Sequence, residues 1–454
     1  MANTADILGE QEALDGLVAH TLEDFEDGRI TKIRSYAFYN NHKLKTLNLS
    51  NVTLVNFYAF GNCCNIESVE IPKTTAIYGN VFYKCYKLKT ININGLKGFY
   101  GSGIFDRCYS LNSIDLSKLN NSSLPYRCLG DIGVGTIATP AILNGNFAES
   151  VRLSTIDILS KQSITSYAMA NCYSLVHLIL RNEQQSSLND LNTFDNTPIK
   201  NGIGWIYVPS SLVESYKTAS NWSTYANQIV SLDEYPKALS GETIRDSWDE
   251  IFQSESDGSY KTKYSVGDTK YLVIGGTYVL MQIIAFDKDI LSSDHTSTAK
   301  ITWLAKSLSF KFPMNFENDT TGGWADCECR KFLNDTIYKQ IPENVRNKIV
   351  AVDKTYTVTS SLSSTPTVSD KLWIPSVREI YGDSSYENDG IDYTDFFTGS
   401  SVMKRYNGLS NNVGYYWWLR SVSSSACFRF VYTTGGAGND FAYSDYGLVL
   451  GFCT

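Results

Sequence analysis

Through the first half of the chain, one bulky apolar residue returns at a nearly constant interval. Phe38, Phe60, Phe82 and Phe105 are separated by 22, 22 and 23 residues, and Met169 follows Phe147 by a further 22. Six positions after each anchor stands an aliphatic residue: Leu44, Ile66, Leu88, Leu111, Leu153 and Leu175. Each copy then carries two apolar residues separated by one, as in Leu47 and Leu49 or Leu178 and Leu180. Such alternation is that of a half-buried β-strand, so each copy reads as a short helical phrase followed by a strand. The interval of 42 between Phe105 and Phe147 has room for one degenerate copy. Self-similarity at this period marks a solenoid, whose units are too short to bury an apolar face alone and stack instead.

The pattern divides the chain. Residues 1–28 read as an acidic helical lead-in or cap, with Leu8, Leu14, Leu17 and Leu22 loosely at helical spacing. Residues 29–236 hold the repeats and a closing segment in which Trp205 to Val208 reads as a strand and Ser210 to Trp222 as a helix. A polar stretch after Pro236 opens a second domain, 237–454. Strands are predicted there at 271–274, 278–286, 301–304 and 371–374, with one helix from Cys329 to Gln340. Strand runs with few helices and no βαβ alternation argue an α+β class.

Composition narrows the function. The net charge is -8 and no Lys/Arg run tracks a phosphate backbone, so nucleic acid is not an expected partner. The N-terminus lacks the basic start and apolar core of a secretory signal, and no stretch has the roughly 20 apolar residues of a membrane span. Of the ten cysteines, Cys63, Cys85, Cys108 and Cys172 each fall three residues after an anchor, so they read as reduced, buried small hydrophobes. Cys327 and Cys329 form a lone C-x-C pair, with no second pair or neighbouring His to complete a metal site.

The phrases AFYNNHKLKTLNL, VFYKCYKLKTINI and WIYVPSSLVESYKTASNW resemble the BspA-like leucine-rich repeats of bacterial surface and phage proteins. Further on, three phrases run in order: Trp324 to Asn334, Leu372 to Glu379, and Tyr415 to Ser421 with its W-L-R-S. Together they resemble the C-type lectin-like fold shared by formylglycine-generating enzymes and by the variable proteins of diversity-generating retroelements. The resemblance implies that Trp417, Trp418, Leu419 and Arg420 are scaffold. It also implies that a variable region occupies 421–448, with Ala426, Cys427, Gly435, Ala437, Ala442 and Gly447 as a constant frame.

The composition of 421–448 is that of a paratope, in which Tyr and Phe supply contact area and Ser, Asn and Gly supply adaptable hydrogen bonds. The candidate ligand-binding residues are Ser423, Ser424, Ser425, Phe428, Phe430, Tyr432, Thr433, Thr434, Asn439, Asp440, Phe441, Tyr443, Ser444, Asp445 and Tyr446. The same residue types also build an ordinary turn-rich hairpin, and both readings stand at this stage.

No catalytic constellation emerges. The four histidines, His20, His42, His177 and His295, adjoin no nucleophile or metal pattern, and the carboxylate spacings do not separate acid/base pairs from solvated faces. Formylglycine-generating relatives need a redox cysteine pair for copper, and Cys427 and Cys453 have no supporting motif. The expectation is a non-enzymatic ligand- or receptor-binding adhesion protein, a phage tail receptor-binding protein or a retroelement variable protein located on a virion or bacterial cell surface, without cofactor or membrane insertion. Its partners would be a host-cell surface protein or glycan and other virion or surface-structure subunits; a bacterial surface adhesin, or an intracellular scaffold acting through the repeats, is the alternative.

Overall fold

The computed structural model describes residues 7–8, 24–26, 28, 30–116, 119, 124–133, 135–139, 147–306, 308, 310–358, 365–383, 391–397 and 416–454. They form two compact units, Met1–Leu239 and Ser240–Thr454.

The first unit is a solenoid with parallel ladders in the repeat's own register. Asp24–Glu26, Thr46–Asn48, Ser68–Glu70 and Thr90–Asn92 form one sheet. Ile7–Leu8, Lys32–Ile33, Leu54–Val55, Ala76–Tyr78 and Gly98–Tyr100 form a second. The expected helical lead-in is therefore corrected where it is described: Ile7–Leu8 and Asp24–Glu26 are strands that open the two sheets, because cross-coil pairing satisfies their backbones. Leu14, Leu17 and Leu22 lie outside the described residues. Farther along, Thr136–Thr139, Thr155–Ile158, His177–Leu180, Trp205–Val208 and Ile229–Ser231 form a third parallel sheet.

The anchors and aliphatics named above are all buried in one continuous core, where Phe38, Phe60, Phe82 and Phe105 stack at 5.0, 5.5 and 5.3 Å. The segment around each anchor is a chain of turns rather than the expected helix. Tyr36 and Asn40, like Tyr58 and Asn62, have positive φ. Alternate N–H groups therefore leave the local turn and cross to the next coil, as in Phe38 N to Ala59 O at 2.7 Å and Asn40 N to Gly61 O at 3.0 Å. The left-handed conformation costs about 1–2 kcal/mol per non-Gly residue, and these cross-coil bonds offset it.

The same register finds the degenerate copy. Phe105 N bonds to Cys128 O as Phe82 N bonds to Ile104 O, and Arg127 and Asp131 repeat the positive φ. Its anchor is thus Leu129, fully buried. The cysteines have a role in this ladder: the thiols of Cys63, Cys85, Cys108 and Cys172 donate to the carbonyls of Phe38, Phe60, Phe82 and Phe147 at 2.9 to 3.2 Å. Ser150 takes the thiol's place in its coil and donates to Leu129 O at 2.8 Å. Trp205–Val208, the short helices Ser210–Leu212 and Val213–Thr218, and buried Trp222 close the unit.

Among its described residues, the second unit has two larger sheets and a small one. Thr269–Ile274, Thr277–Phe286, Ile301–Ala305 and Gly451–Cys453 are antiparallel neighbours in that order. Phe310–Phe312, Tyr446–Leu448, Trp417–Val422, Cys427–Val431 and Ala437–Phe441 form the other. Val352–Thr355 pairs with Thr367–Asp370. The strand expected at 371–374 is corrected: the ladder ends at Asp370, and only Trp373 bridges to Gly451. Side chains take the backbone groups instead, since Asn334 bonds both Leu372 N and Leu372 O, and Arg420 bonds Ile374 O. The predicted helix is a helical run broken by a π segment, Phe332–Ile337, between Glu328–Lys331 and Tyr338–Gln340.

Candidate binding surface

Trp417–Val422 is buried along its whole length and sits inside its sheet between Cys427–Val431 and Tyr446–Leu448. Trp418 pairs with Phe430 and Val422 with Phe428, so four steps on one strand oppose two on the other. The three intervening residues, Leu419 to Ser421, face only Arg429 on the partner strand and bulge out of the ladder. Arg420 N then bonds Pro375 O at 3.0 Å, and Ser421 Oγ accepts Val377 N at 2.9 Å.

The bulge aims Arg420 into a buried ionic cluster. Its guanidinium donates to Glu379 Oε2 at 2.6 Å, Ile374 O at 2.7 Å and Thr355 O at 2.9 Å. Glu379 caps its own helix, Val377–Tyr381, through Ser376, and its other oxygen lies 3.0 Å from Lys354 Nζ. Lys354 also reaches Asp289 at 2.6 Å and Tyr393 at 2.9 Å, and lies 3.5 Å over the ring of Trp373. Two cations thus meet two carboxylates within the cluster. Burial alone would raise the Glu379 carboxyl, but Arg420 and Lys354 prevail and hold it at about 2.

Above this base, the fifteen candidate residues do not converge on one patch. Phe428 and Phe430 are corrected: both are buried. On a pleated strand they share one face, and there Phe430 packs against Tyr416, Tyr432 and Tyr446 at 5.3, 4.7 and 4.9 Å. Tyr446 is half-buried, and its hydroxyl donates to Asp440. The exposed rings are Tyr432 (41%), Phe441 (45%) and Tyr443 (42%). Phe441 stacks on Tyr443 at 5.7 Å and pairs across the ladder with Cys427, on the face opposite Phe428.

The remaining candidates line turns. Ser423 and Ser424 bond Cys427 O through their backbones, while Ser424 O and Ser425 O accept from Thr320. Thr433 and Thr434 lie in the turn closed by Tyr432 N to Gly436 O at 2.7 Å, where Gly435 has φ 86°. Asn439 pairs opposite Arg429, Ser444 N bonds Phe441 O, and Asp445 is half-buried beside Tyr446. Gly438, which the expected frame does not include, lies under the Tyr432 ring, where a Cβ would stand 2.6 Å from it.

One exposed ring escaped the sequence reading. Tyr416, which is not among the candidates, is 39% exposed and contacts Tyr432. Cys427 and Cys453 belong to different sheets, and Cys453 is buried beside Thr302.

Residues 31–144 and 136–218 match the model of the BspA type leucine-rich repeat region. The first unit therefore carries BspA type repeats. Residues 297–450 match a domain of unknown function, DUF6273. No curated protein matches the chain. Among solved structures, a leucine-rich repeat protein of T. pallidum is similar at 24% identity, over 32% of this chain and 72% of that one, with a TM-score of 0.24. A leucine rich cell surface protein from Faecalibacterium prausnitzii is similar at 15% identity, over 44% and 79%, with a TM-score of 0.18. A Bacteroides ovatus leucine-rich repeat protein is similar at 14% identity, over 45% and 88%, with a TM-score of 0.15. BspA type repeats suggest a protein-interaction or surface-binding role. Among the described residues, no helix is long and apolar enough to cross a membrane.

Proposed function

We propose that this chain is a non-catalytic recognition protein in which the BspA type repeats carry a C-terminal ligand-binding unit. The observation that supports this best is the separation of layers in 416–446. Phe428, Phe430, Trp417 and Trp418 are buried with Arg420, whereas Tyr432, Phe441 and Tyr443 are exposed, Tyr432 beside Phe430 and Phe441 on the opposite face of the sheet. Exposed aromatic rings on a fixed base supply large contact area at low conformational cost. The ionic cluster supports a binding role over catalysis, because Lys354, Glu379, Asp289 and Arg420 are buried and spend their hydrogen bonds on one another, on buried Tyr393 and Thr302 and on the backbone.

In this reading the unit is C-type lectin-like and its exposed positions are exchangeable, as in variable proteins of diversity-generating retroelements. It acts at a phage tail or bacterial surface on a host-cell surface protein or glycan. The test is binding of the labelled chain to intact bacterial cells, with Tyr432, Phe441 and Tyr443 together replaced by Ala. Loss of binding at unchanged thermal stability is expected; unchanged binding would overturn the assignment. Sequencing the locus across a population tests exchangeability, with differences expected at adenine positions of the exposed residues.

A further inference from the structure

The ionic cluster of the second unit holds a lysine amine against a carboxyl group in an enclosed, aromatic setting. Lys354 Nζ lies 2.6 Å from Asp289 Oδ1 and 3.0 Å from Glu379 Oε1. Trp373 covers the amine, its ring centroid 3.5 Å away, and the Tyr393 ring stacks on Trp373 at 6.1 Å. Asp289, Thr302, Lys354, Trp373, Glu379 and Tyr393 are all buried.

The backbone fixes the two groups that face each other. Leu291 bridges to Val352, and Asp353 N donates to Ile290 O at 2.9 Å, so the segments carrying Asp289 and Lys354 are tied together beside them. Groups held in this way react with one another far more readily than the same groups free in solution. The Asp289 carboxyl is also polarised by hydroxyls. Tyr393 Oη stands 2.7 and 2.9 Å from its two oxygens, and Thr302 donates to Oδ2. These donors are placed to stabilise negative charge that develops on oxygen when the carboxyl carbon is attacked.

Burial pushes the Lys354 amine toward its neutral form, but Asp289 and Glu379 outweigh burial and hold the ammonium. One proton passing from Nζ to Oδ1 turns the ion pair into an amine and a carboxylic acid, a neutral pair that buries no charge. We infer that Lys354 and Asp289 condense into an intramolecular amide, with Glu379 as the proton-transfer group. Nζ bonds to Cγ of Asp289. Glu379 takes one proton from that nitrogen and passes it to the Oδ1 hydroxyl, and the Cγ–Oδ1 bond breaks to release water. No oxidant, reductant or further reactant enters. One ammonium and one carboxylate disappear together, and Arg420 still matches Glu379 at 2.6 Å, so neither remaining charge is left alone. By joining residues 65 apart, the bond restricts the unfolded chain as a disulfide would, in a protein whose ten cysteines are all free thiols.

The test is the mass of the full chain, purified folded at neutral pH and then denatured. It is expected to lie one water below the mass of the sequence, and trypsin should release a branched peptide in which Lys354 is joined to Asp289. Lys354→Arg and Asp289→Ala should each show no loss of water. Glu379→Gln should also stay unjoined, with circular dichroism reporting its fold; the parent's own mass decides the question where that variant does not fold. The full mass, with Lys354 in a linear peptide, would overturn the proposal. So would a branched peptide joining another pair, or loss of water only as a succinimide at Asp257–Gly258. A folded Glu379→Gln chain joined as fully as the parent would overturn the part given to Glu379.

Discussion

Arg420 and Glu379, 41 residues apart in sequence, meet at 2.6 Å with 1% and 2% of their side chains exposed. Removing one partner of a buried pair leaves an uncompensated charge, which costs about 3–5 kcal/mol. Arg420→Met should therefore lower the stability of the second unit by that amount in urea unfolding followed by tryptophan fluorescence.

Acid should act on the same pair. The folded Glu379 carboxyl sits at about 2, below its ordinary 4.5, so its contribution is full above pH 4.5 and is lost as pH falls from 4.5 through about 2. Glu379→Gln should be less stable at neutral pH and should flatten the pH dependence of unfolding across that window.

Leu88 is fully buried between coils. Leu88→Ala removes its methyl groups and leaves a cavity that the stacked coils cannot close, at a cost of about 2–5 kcal/mol. Thermal unfolding of the repeat unit measures it.

Gly438→Ala should displace the Tyr432 ring, since the added Cβ would stand 2.6 Å from it. Cell binding should weaken while the melting temperature changes little, because an exposed ring can move where a core residue cannot. Tyr446→Ala should do the opposite and lower stability, since Tyr446 packs on Trp418 at 4.7 Å.

All ten cysteines are free thiols, nine buried and Cys427 half-exposed. Burial raises the thiols of Cys63, Cys85, Cys108 and Cys172 above their ordinary range. A thiol reagent should label the native chain at Cys427 and reach the others only on unfolding.

The anchors, their aliphatics and the paired strand positions were legible because a stacked coil meets near-copies of itself. A side chain's neighbours are then written 22 residues away. The turns were not, since positive φ at Tyr36 or Tyr58 leaves no compositional mark and is stabilised only by N–H groups that cross coils. Leu129 escaped notice because its coil lacks the Phe and its cysteine, Cys128, stands one residue before the anchor instead of three after it.

In the second unit, the tryptophans and Arg420 read correctly as scaffold, while the surface composition of 421–448 did not say which rings face outward. The pleat decided that, sending Phe428 inward and Phe441 to the other face. By itself, then, the sequence determined the repeat, its period and its core positions, for these depend on short-range periodicity. Only the tertiary structure decided the ionic cluster of Asp289, Lys354, Glu379 and Arg420 and the exposure of Tyr432, Phe441 and Tyr443. Those depend on contacts between segments tens of residues apart, where no periodicity links one partner to the next.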